Sequence, residues 1–120
     1  MKIGTDIIEI ERIAKAMERA HFGSRVFTAH ELAYAKSRGK QESASLAGMY
    51  AAKEAFFKAL GTGFRGGTWA EVEIHRDALG APYIVCTGFF YELLKEKNLT
   101  TIELSISHCR SYATAVVLLS

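Results

Sequence analysis

An α+β fold is predicted by three features of the sequence. A helix-forming, Ala-rich stretch runs unbroken through residues 43–60, strand-like apolar segments stand near both ends, and short helices and strands arrive between them in irregular order instead of a strict βαβα alternation. Lys2 to Ile8 reads as a strand, with Ile3, Ile7 and Ile8 supplying its apolar content. The period then changes: Ile10, Ile13, Ala14 and Met17 follow i, i+3, i+4, i+7 spacing, which gives a helix one apolar face. Arg12, Lys15 and Arg19 continue on that helix in a direction nearly opposite the apolar stripe. His21 to Val26 reads as a loop. Thr28-Ala-His-Glu31 matches a capping box and predicts a short helix over Glu31–Ser37.

Gly39 to Ser43 is a polar connection into the long helix, and Gly61 is placed to cap that helix at its C-terminus. Gly61 to Gly67 is the glycine-rich loop, holding four of the ten glycines. Trp69 to His75 alternates as a strand, Asp77-Ala-Leu-Gly80 turns the chain, and Pro82 to Thr87 returns as the second strand of a hairpin. Phe89, Phe90, Leu93 and Leu94 mark a short amphipathic helix ending near Lys97 and Asn98. Strands over Thr101–Ser107 and Tyr112–Leu119 close the chain.

At 120 residues the chain has the length of one domain, 1–120, whose scaling predicts burial of about two thirds of its unfolded surface. With 49% hydrophobic residues, 23% charged residues and a mean hydropathy of +0.06, disorder is excluded. No apolar run approaches the roughly 20 residues that span a bilayer. Asp6, Glu9, Glu11 and Arg12 stand where a signal peptide would be apolar, so a soluble, cytoplasmic protein is expected, without membrane contact. Cys86 and Cys109 have no metal-ligand spacing and are expected as reduced structural thiols. The net charge of +2 is local: residues 1–40 carry eight Lys/Arg against five Asp/Glu. That suggests one patch for an acidic partner and no nucleic-acid site.

Several residues stand out chemically. Glu54 lies on a helix that is small or apolar on nearly every side, and a carboxylate there needs a partner. Lys58, at i+4, is the ordinary candidate. Lys53 points to the edge of the apolar arc, either snorkelling to water or holding a buried anion such as a phosphate. Asp6 interrupts an apolar strand, as a cap for the next helix or as a hard-metal ligand. Ser107-His108 ends an alternating strand at a polar turn, where a structural role is the commoner one.

Three blocks give these residues a common meaning: Gly4-Thr-Asp-Ile-Ile-Glu-Ile-Glu-Arg-Ile13, Ala51-Ala-Lys-Glu-Ala-Phe-Phe-Lys-Ala-Leu-Gly-Thr-Gly63 and Leu104-Ser-Ile-Ser-His108. Together they resemble the holo-[acyl-carrier-protein] synthases, the small class of 4′-phosphopantetheinyl transferases, and the resemblance extends over nearly the whole chain. It implies an antiparallel-rich sheet packed with one long central helix and shorter helices, assembled as a homotrimer with active sites at subunit junctions. It implies transfer of the 4′-phosphopantetheine arm of coenzyme A to a serine of apo acyl carrier protein, releasing adenosine 3′,5′-bisphosphate, in support of fatty acid biosynthesis.

By the same resemblance Asp6 and Glu54 match Mg²⁺ ligands, Lys53 and Lys58 match lysines near the pyrophosphate, and Gly61 and His108 belong to the coenzyme A site. Glu54 and Lys58 are the expected catalytic pair. Two acceptors for the serine proton stay open, Glu54 and a water on the metal. Arg12, Lys15 and Arg19 become a docking face for the acidic carrier, of which only Arg12 lies in a matching block. In one departure, Met49 stands where the family usually has arginine. An N-terminus a few residues shorter than the family's usual one is another, from which less pairing of the first strand is expected.

Overall fold

The computed structural model describes residues 1–61 and 66–120. Strands β1 (Lys2–Glu9), β4 (Ile102–His108) and β5 (Tyr112–Leu119) form an antiparallel sheet in the order β1-β5-β4. Strands β2 (Val72–Arg76) and β3 (Pro82–Cys86) form a separate antiparallel hairpin. Helices α1 (Ile10–Ala16), α2 (Phe22–Val26), α3 (Ala29–Ser37), α4 (Glu42–Leu60) and α5 (Gly88–Glu96) complete the chain. The expected α+β architecture with one long helix is present.

Period-two alternation explains how the sheet takes α4. Ala113, Ala115, Val117 and Leu119 point inward and are buried, while Tyr112 and Val116 point outward and are exposed. Helix α4 lies on the inner face and brings six alanines to it or to the surrounding core. Small residues let backbones approach closely. A Cβ added at Gly4 would fall on the Ala55 carbonyl oxygen and stand 2.5 Å from the Ala59 nitrogen, so β1 touches the backbone of α4 directly. Gly48 leaves room for the Ile106 side chain of β4, whose methyl would stand 2.9 Å from a Cβ there. Gly61 ends α4 at φ 79°, a left-handed conformation natural to glycine, with its N–H donating to the Phe57 and Lys58 carbonyls.

Three local expectations are corrected. Residues 22–26 form a helical turn, not a loop, because Phe22 and Val26, four apart, both reach the core. The strand expected from Trp69 begins only at Val72. Trp69–Glu71 is a 3₁₀ turn, capped by reciprocal hydrogen bonding between Thr68 and Glu71. Helix α1 ends at Ala16, so Arg19 lies in the following turn and is not on the helix with Arg12 and Lys15. Cys109 is exposed in the β4–β5 turn and only Cys86 is partly buried, its thiol pushed up to about 12 by burial. The glycine-rich loop expected at Gly61–Gly67 falls largely on residues 62–65, outside the described residues.

The Gly4 approach generates a prediction. Gly4→Ala places a methyl against backbone atoms that have no rotamer to relieve it, so it should cost at least the ~1–3 kcal/mol of an overpacked core. A denaturant midpoint unchanged from wild type would show that β1 and α4 are not in backbone contact.

Candidate active site

The site is built on a buried ion pair. Lys53 Nζ lies 2.8 Å from Glu31 Oε1, and neither side chain has any exposure (0%/0%). The Lys53 ammonium also donates to the Val26 carbonyl at 2.8 Å and the Trp69 carbonyl at 3.0 Å. Glu31 accepts from the Thr28 N–H through Oε1 and from the Ile74 N–H through Oε2, at 2.9 and 2.7 Å. Burial holds the Lys53 pKa below its ordinary value, opposed by the charge and hydrogen bond of Glu31 and by Glu73. The expectation that Lys53 faces a bound phosphate is therefore corrected. Its three donors are committed to Glu31, Val26 and Trp69 inside the protein.

Glu54, the next residue, points about 100° away around the helix and is only half-buried. Asp6 stands opposite Ala115 in the sheet register, on the face that α4 covers. Its Oδ1 lies 3.0 Å from Lys58 Nζ, with side-chain exposures of 13% for Asp6 and 56% for Lys58. The ordinary pairing of Lys58 with Glu54 is thus replaced: Lys58 reaches across to β1, because the close approach at Gly4 brings Asp6 within its span. Glu54 is left beside a second carboxylate. Its pKa is raised, chiefly by burial and then by the Asp6 charge, with Lys58 acting in the opposite direction.

Tyr50, one turn earlier on α4, belongs to the same neighbourhood, and no local sequence pattern marks it as a site residue. Its phenol pKa is raised by burial, then by Glu54 and Asp6, and lowered by Arg12 and Arg25. The ring stacks on Trp69 at 5.5 Å and packs 6.3 Å from Phe22. Arg12, Lys15 and Arg19 line one cavity of about 260 Å³, so the turn after α1 returns Arg19 to its expected companions. The Arg19 and Arg25 guanidiniums lie 5.5 and 5.9 Å from the Phe22 ring centroid.

His108 is not with Asp6 and Glu54. It ends β4, the edge strand on the far side of β5, two strand spacings or roughly 10 Å from β1. Its ring is exposed, with Nδ1 3.4 Å from the Cys109 carbonyl oxygen. Within one chain the expected residues therefore form two groups, Asp6, Glu54 and Lys58 in one and His108 in the other, with Gly61 at the end of α4. Among the described residues no three His, Cys, Asp or Glu side chains converge as a metal centre. Two adjacent carboxylates are nevertheless the donor set that suits Mg²⁺, which fills its remaining positions with waters and substrate phosphates.

Residues 2–117 match the family described as the 4′-phosphopantetheinyl transferase superfamily. The chain belongs to this family. The holo-[acyl-carrier-protein] synthase of Ruminiclostridium cellulolyticum is 42% identical over 123 residues, covering 100% of this chain and 92% of the relative. The crystal structure of holo-[acyl-carrier-protein] synthase from Neisseria meningitidis superposes with a TM-score of 0.89 at 34% identity, covering 99% and 97% of the two chains. The Helicobacter pylori holo-[acyl-carrier-protein] synthase, solved in complex with coenzyme A, gives 0.85 at 34% identity over 98% and 99%. The transferase fold implied by the three sequence blocks is the fold observed.

The corrected role of Lys53 is testable. Lys53→Met keeps most of the volume but leaves Glu31 charged and unpaired in the interior, so stability should fall by about 3–5 kcal/mol. A variant with wild-type stability and weakened coenzyme A binding would instead return Lys53 to the ligand.

Proposed function

We propose that residues 1–120 act as one phosphopantetheinyl transferase domain that moves the 4′-phosphopantetheine arm of coenzyme A onto a serine of apo acyl carrier protein. The observation that carries this reading is the Asp6–Lys58–Glu54 cluster at the contact of β1 and α4, in a chain of this family. The coenzyme A complex of the Helicobacter pylori relative supports the donor, and the relatives' shared name supports the carrier. The same reading extends to fatty acid biosynthesis in the cytoplasm, through the carrier it serves.

Asp6 and Glu54 are the residues that would hold Mg²⁺, and the ion, when bound, would supply positive charge to offset the pyrophosphate and the departing phosphate oxygen. Lys58, more than half exposed and tethered at Asp6, turns its remaining donors to the same phosphates. The carrier serine attacks the phosphorus nearest the pantetheine arm, and adenosine 3′,5′-bisphosphate leaves. Gly61, at the end of α4, lies beside the coenzyme A site, and His108 meets the nucleotide from a neighbouring subunit. A homotrimer supplies that neighbour. Two observations favour it: the split between His108 and the carboxylates, and an outer sheet face with Ile3 67% and Ile7 66% exposed beside Tyr112 and Val116. Arg12, Lys15 and Arg19 dock the acidic carrier and steer its approach.

Intact-mass spectrometry of an apo carrier incubated with the protein, coenzyme A and Mg²⁺ tests the reading. The carrier should gain one phosphopantetheine group, and an unchanged mass beside an active control would end the assignment. Asp6→Asn and Glu54→Gln should each abolish the gain. Glu54 adds a second readout. Because its folded pKa is raised, its contribution to stability is present below the ordinary carboxylate value and lost as pH rises through the folded value. Glu54→Gln should therefore raise the melting temperature of the metal-free protein at neutral pH, with the difference fading in acid. Mg²⁺ should stabilise the wild type and not the variant. An unstabilised, Mg²⁺-responsive Glu54→Gln would remove Glu54 from the metal site.

Docking predicts a different pattern. Arg12→Glu combined with Arg19→Glu should raise KM for the carrier and flatten its salt dependence, while KM for coenzyme A stays unchanged. Equal losses toward both substrates would mean that the turn supports the whole site.

A further inference from the structure

Helix α5 leaves an apolar slot at its C-terminal end that neither the carboxylate cluster nor the basic face uses. The slot begins where the helix stops. Helix α5 ends at Glu96, Lys97 follows as its cap, and Asn98 takes φ 56°, the left-handed conformation that turns a chain off a helix. The Leu99 N–H then returns to the Leu94 carbonyl at 2.9 Å and the Asn98 N–H to the Lys95 carbonyl at 3.0 Å. This paired closure sets Leu94 and Leu99 in one lining. Beyond it, the Thr100 and Thr101 N–H groups both donate to the Ser120 carbonyl, at 2.7 and 2.8 Å, and tie the segment to the end of β5. Cys86 at the end of β3 and Ile102 at the start of β4 complete the apolar part. Between them lies a cavity of about 310 Å³.

Main-chain hydrogen bonds hold this frame, so the slot is preformed. Its polarity is graded from floor to mouth. Leu94 is buried, Cys86, Leu99 and Ile102 are half-buried, and Lys95 and Thr100 are exposed. An apolar interior thus gives way to one cation and one hydroxyl, and the lining holds no carboxylate. The Lys95 ammonium lies 5.5 Å from the Tyr91 ring centroid, and that ring also lines the cavity. Its acidic neighbour is Glu92, at 3.7 Å, with side-chain exposures of 60% for Lys95 and 67% for Glu92. An open pair at that distance is worth little, so the ammonium can turn to another anion.

We propose that this slot binds a single-chain amphiphile with an anionic head, a fatty carboxylate. The chain lies against Leu94, Leu99, Ile102 and Cys86, and the head meets Lys95. Polarity and charge select this class together. A neutral chain gains nothing from Lys95, and a cationic head sets like charge against it. The volume stands at the small end of the roughly 300–1,000 Å³ of small-molecule sites, which suits one short chain and not a two-chain lipid. The inference uses neither the carboxylate cluster nor coenzyme A.

Calorimetric titration of the full chain with hexanoate, octanoate and decanoate, below the concentrations at which they form micelles, tests the slot. Each methylene that enters should tighten binding by up to about fourfold. Lys95→Met should weaken octanoate by about two- to fivefold, the range of an exposed charge pair, and leave octanol unaffected. Thr100→Trp, a change at an exposed position, fills the mouth and should abolish binding of all three acids. Methyl NMR places the ligand, with shifts expected at Leu94, Leu99 and Ile102. Absence of saturable binding, affinity indifferent to chain length, or unchanged binding in a folded Thr100→Trp overturns the slot. Shifts centred on the exposed Ile3 and Ile7 face do the same. Equal losses of octanoate and octanol in Lys95→Met overturn the anionic class. Shifts of the slot methyls that grow with protein concentration alone assign it to a second copy of the chain and overturn the amphiphile. None of these readouts involves transfer, so their failure leaves the functional reading standing, and a carrier left unmodified leaves the slot standing.

Discussion

The buried pair of Lys53 and Glu31 ties α4 to the segments packed around it. Taking two charges into the interior is not in itself favourable, and an apolar replacement of such a pair is often as stable. Here the pair has a second task. Val26 O closes α2, Thr28 N opens α3, Trp69 O lies in a 3₁₀ turn and Ile74 N is on the hairpin. All four are backbone groups at element ends or edges, where regular structure leaves donors and acceptors without partners. One ammonium and one carboxylate satisfy all four. Four short segments are thereby pinned to a single point on α4, and Glu54, one residue further, inherits that fixed orientation.

The second constraint is size. Where β1 crosses α4 there is no side chain between the backbones, since Gly4 lies on Ala55 and Ala59. A larger residue there would lift β1 and carry Asp6 out of reach of Lys58. The acidic cluster is therefore a consequence of small residues several positions away from it. The pKa of Glu54 is raised first by burial and then by the nearby Asp6 charge, and Lys58 offsets only part of it. A chain selected for stability alone would not keep two carboxylates in that position. This is the physical case for a bound cation at the cluster.

Much of the architecture was legible because its signals are local. Alternation marked β4 and β5, the capping box marked α3, and Gly61 marked the end of α4. What escaped was pairing across the fold. Glu31 already had an explanation as the capping residue of α3, and it does cap, with Oε1 on Thr28 N; nothing local showed that the same oxygen also takes Lys53. The helical wheel gave the direction of Lys53 correctly, at the edge of the apolar arc, but direction does not reveal whether a buried cation meets a ligand or an internal acid. Lys58 misled for the converse reason. A favourable i, i+4 partner was present in Glu54, and the better one came from β1, 52 residues away. Arg19 was placed on a helix that stops early, yet the turn brought it back beside Arg12 and Lys15.

Tyr50 shows how the acidic cluster and the basic face are related. Beyond the larger effect of burial, Glu54 and Asp6 raise its pKa while Arg12 and Arg25 lower it, so the phenol stands where both fields are felt. Fields of opposite sign persist side by side only if the groups are kept from collapsing into ion pairs. Phe22 packs on Tyr50, and the Arg19 and Arg25 guanidiniums lie against the Phe22 ring, with no ion pair to Asp6 or Glu54 among the described residues. On the proposed reading, an acidic carrier held by the arginines brings its negative charge into the Tyr50 neighbourhood that also feels Asp6 and Glu54. Its own negative charge would be repelled there unless a cation already occupied the cluster. On the proposed reading, metal and carrier binding are coupled by this geometry: the cation that neutralises Asp6 and Glu54 also removes the repulsion facing the carrier.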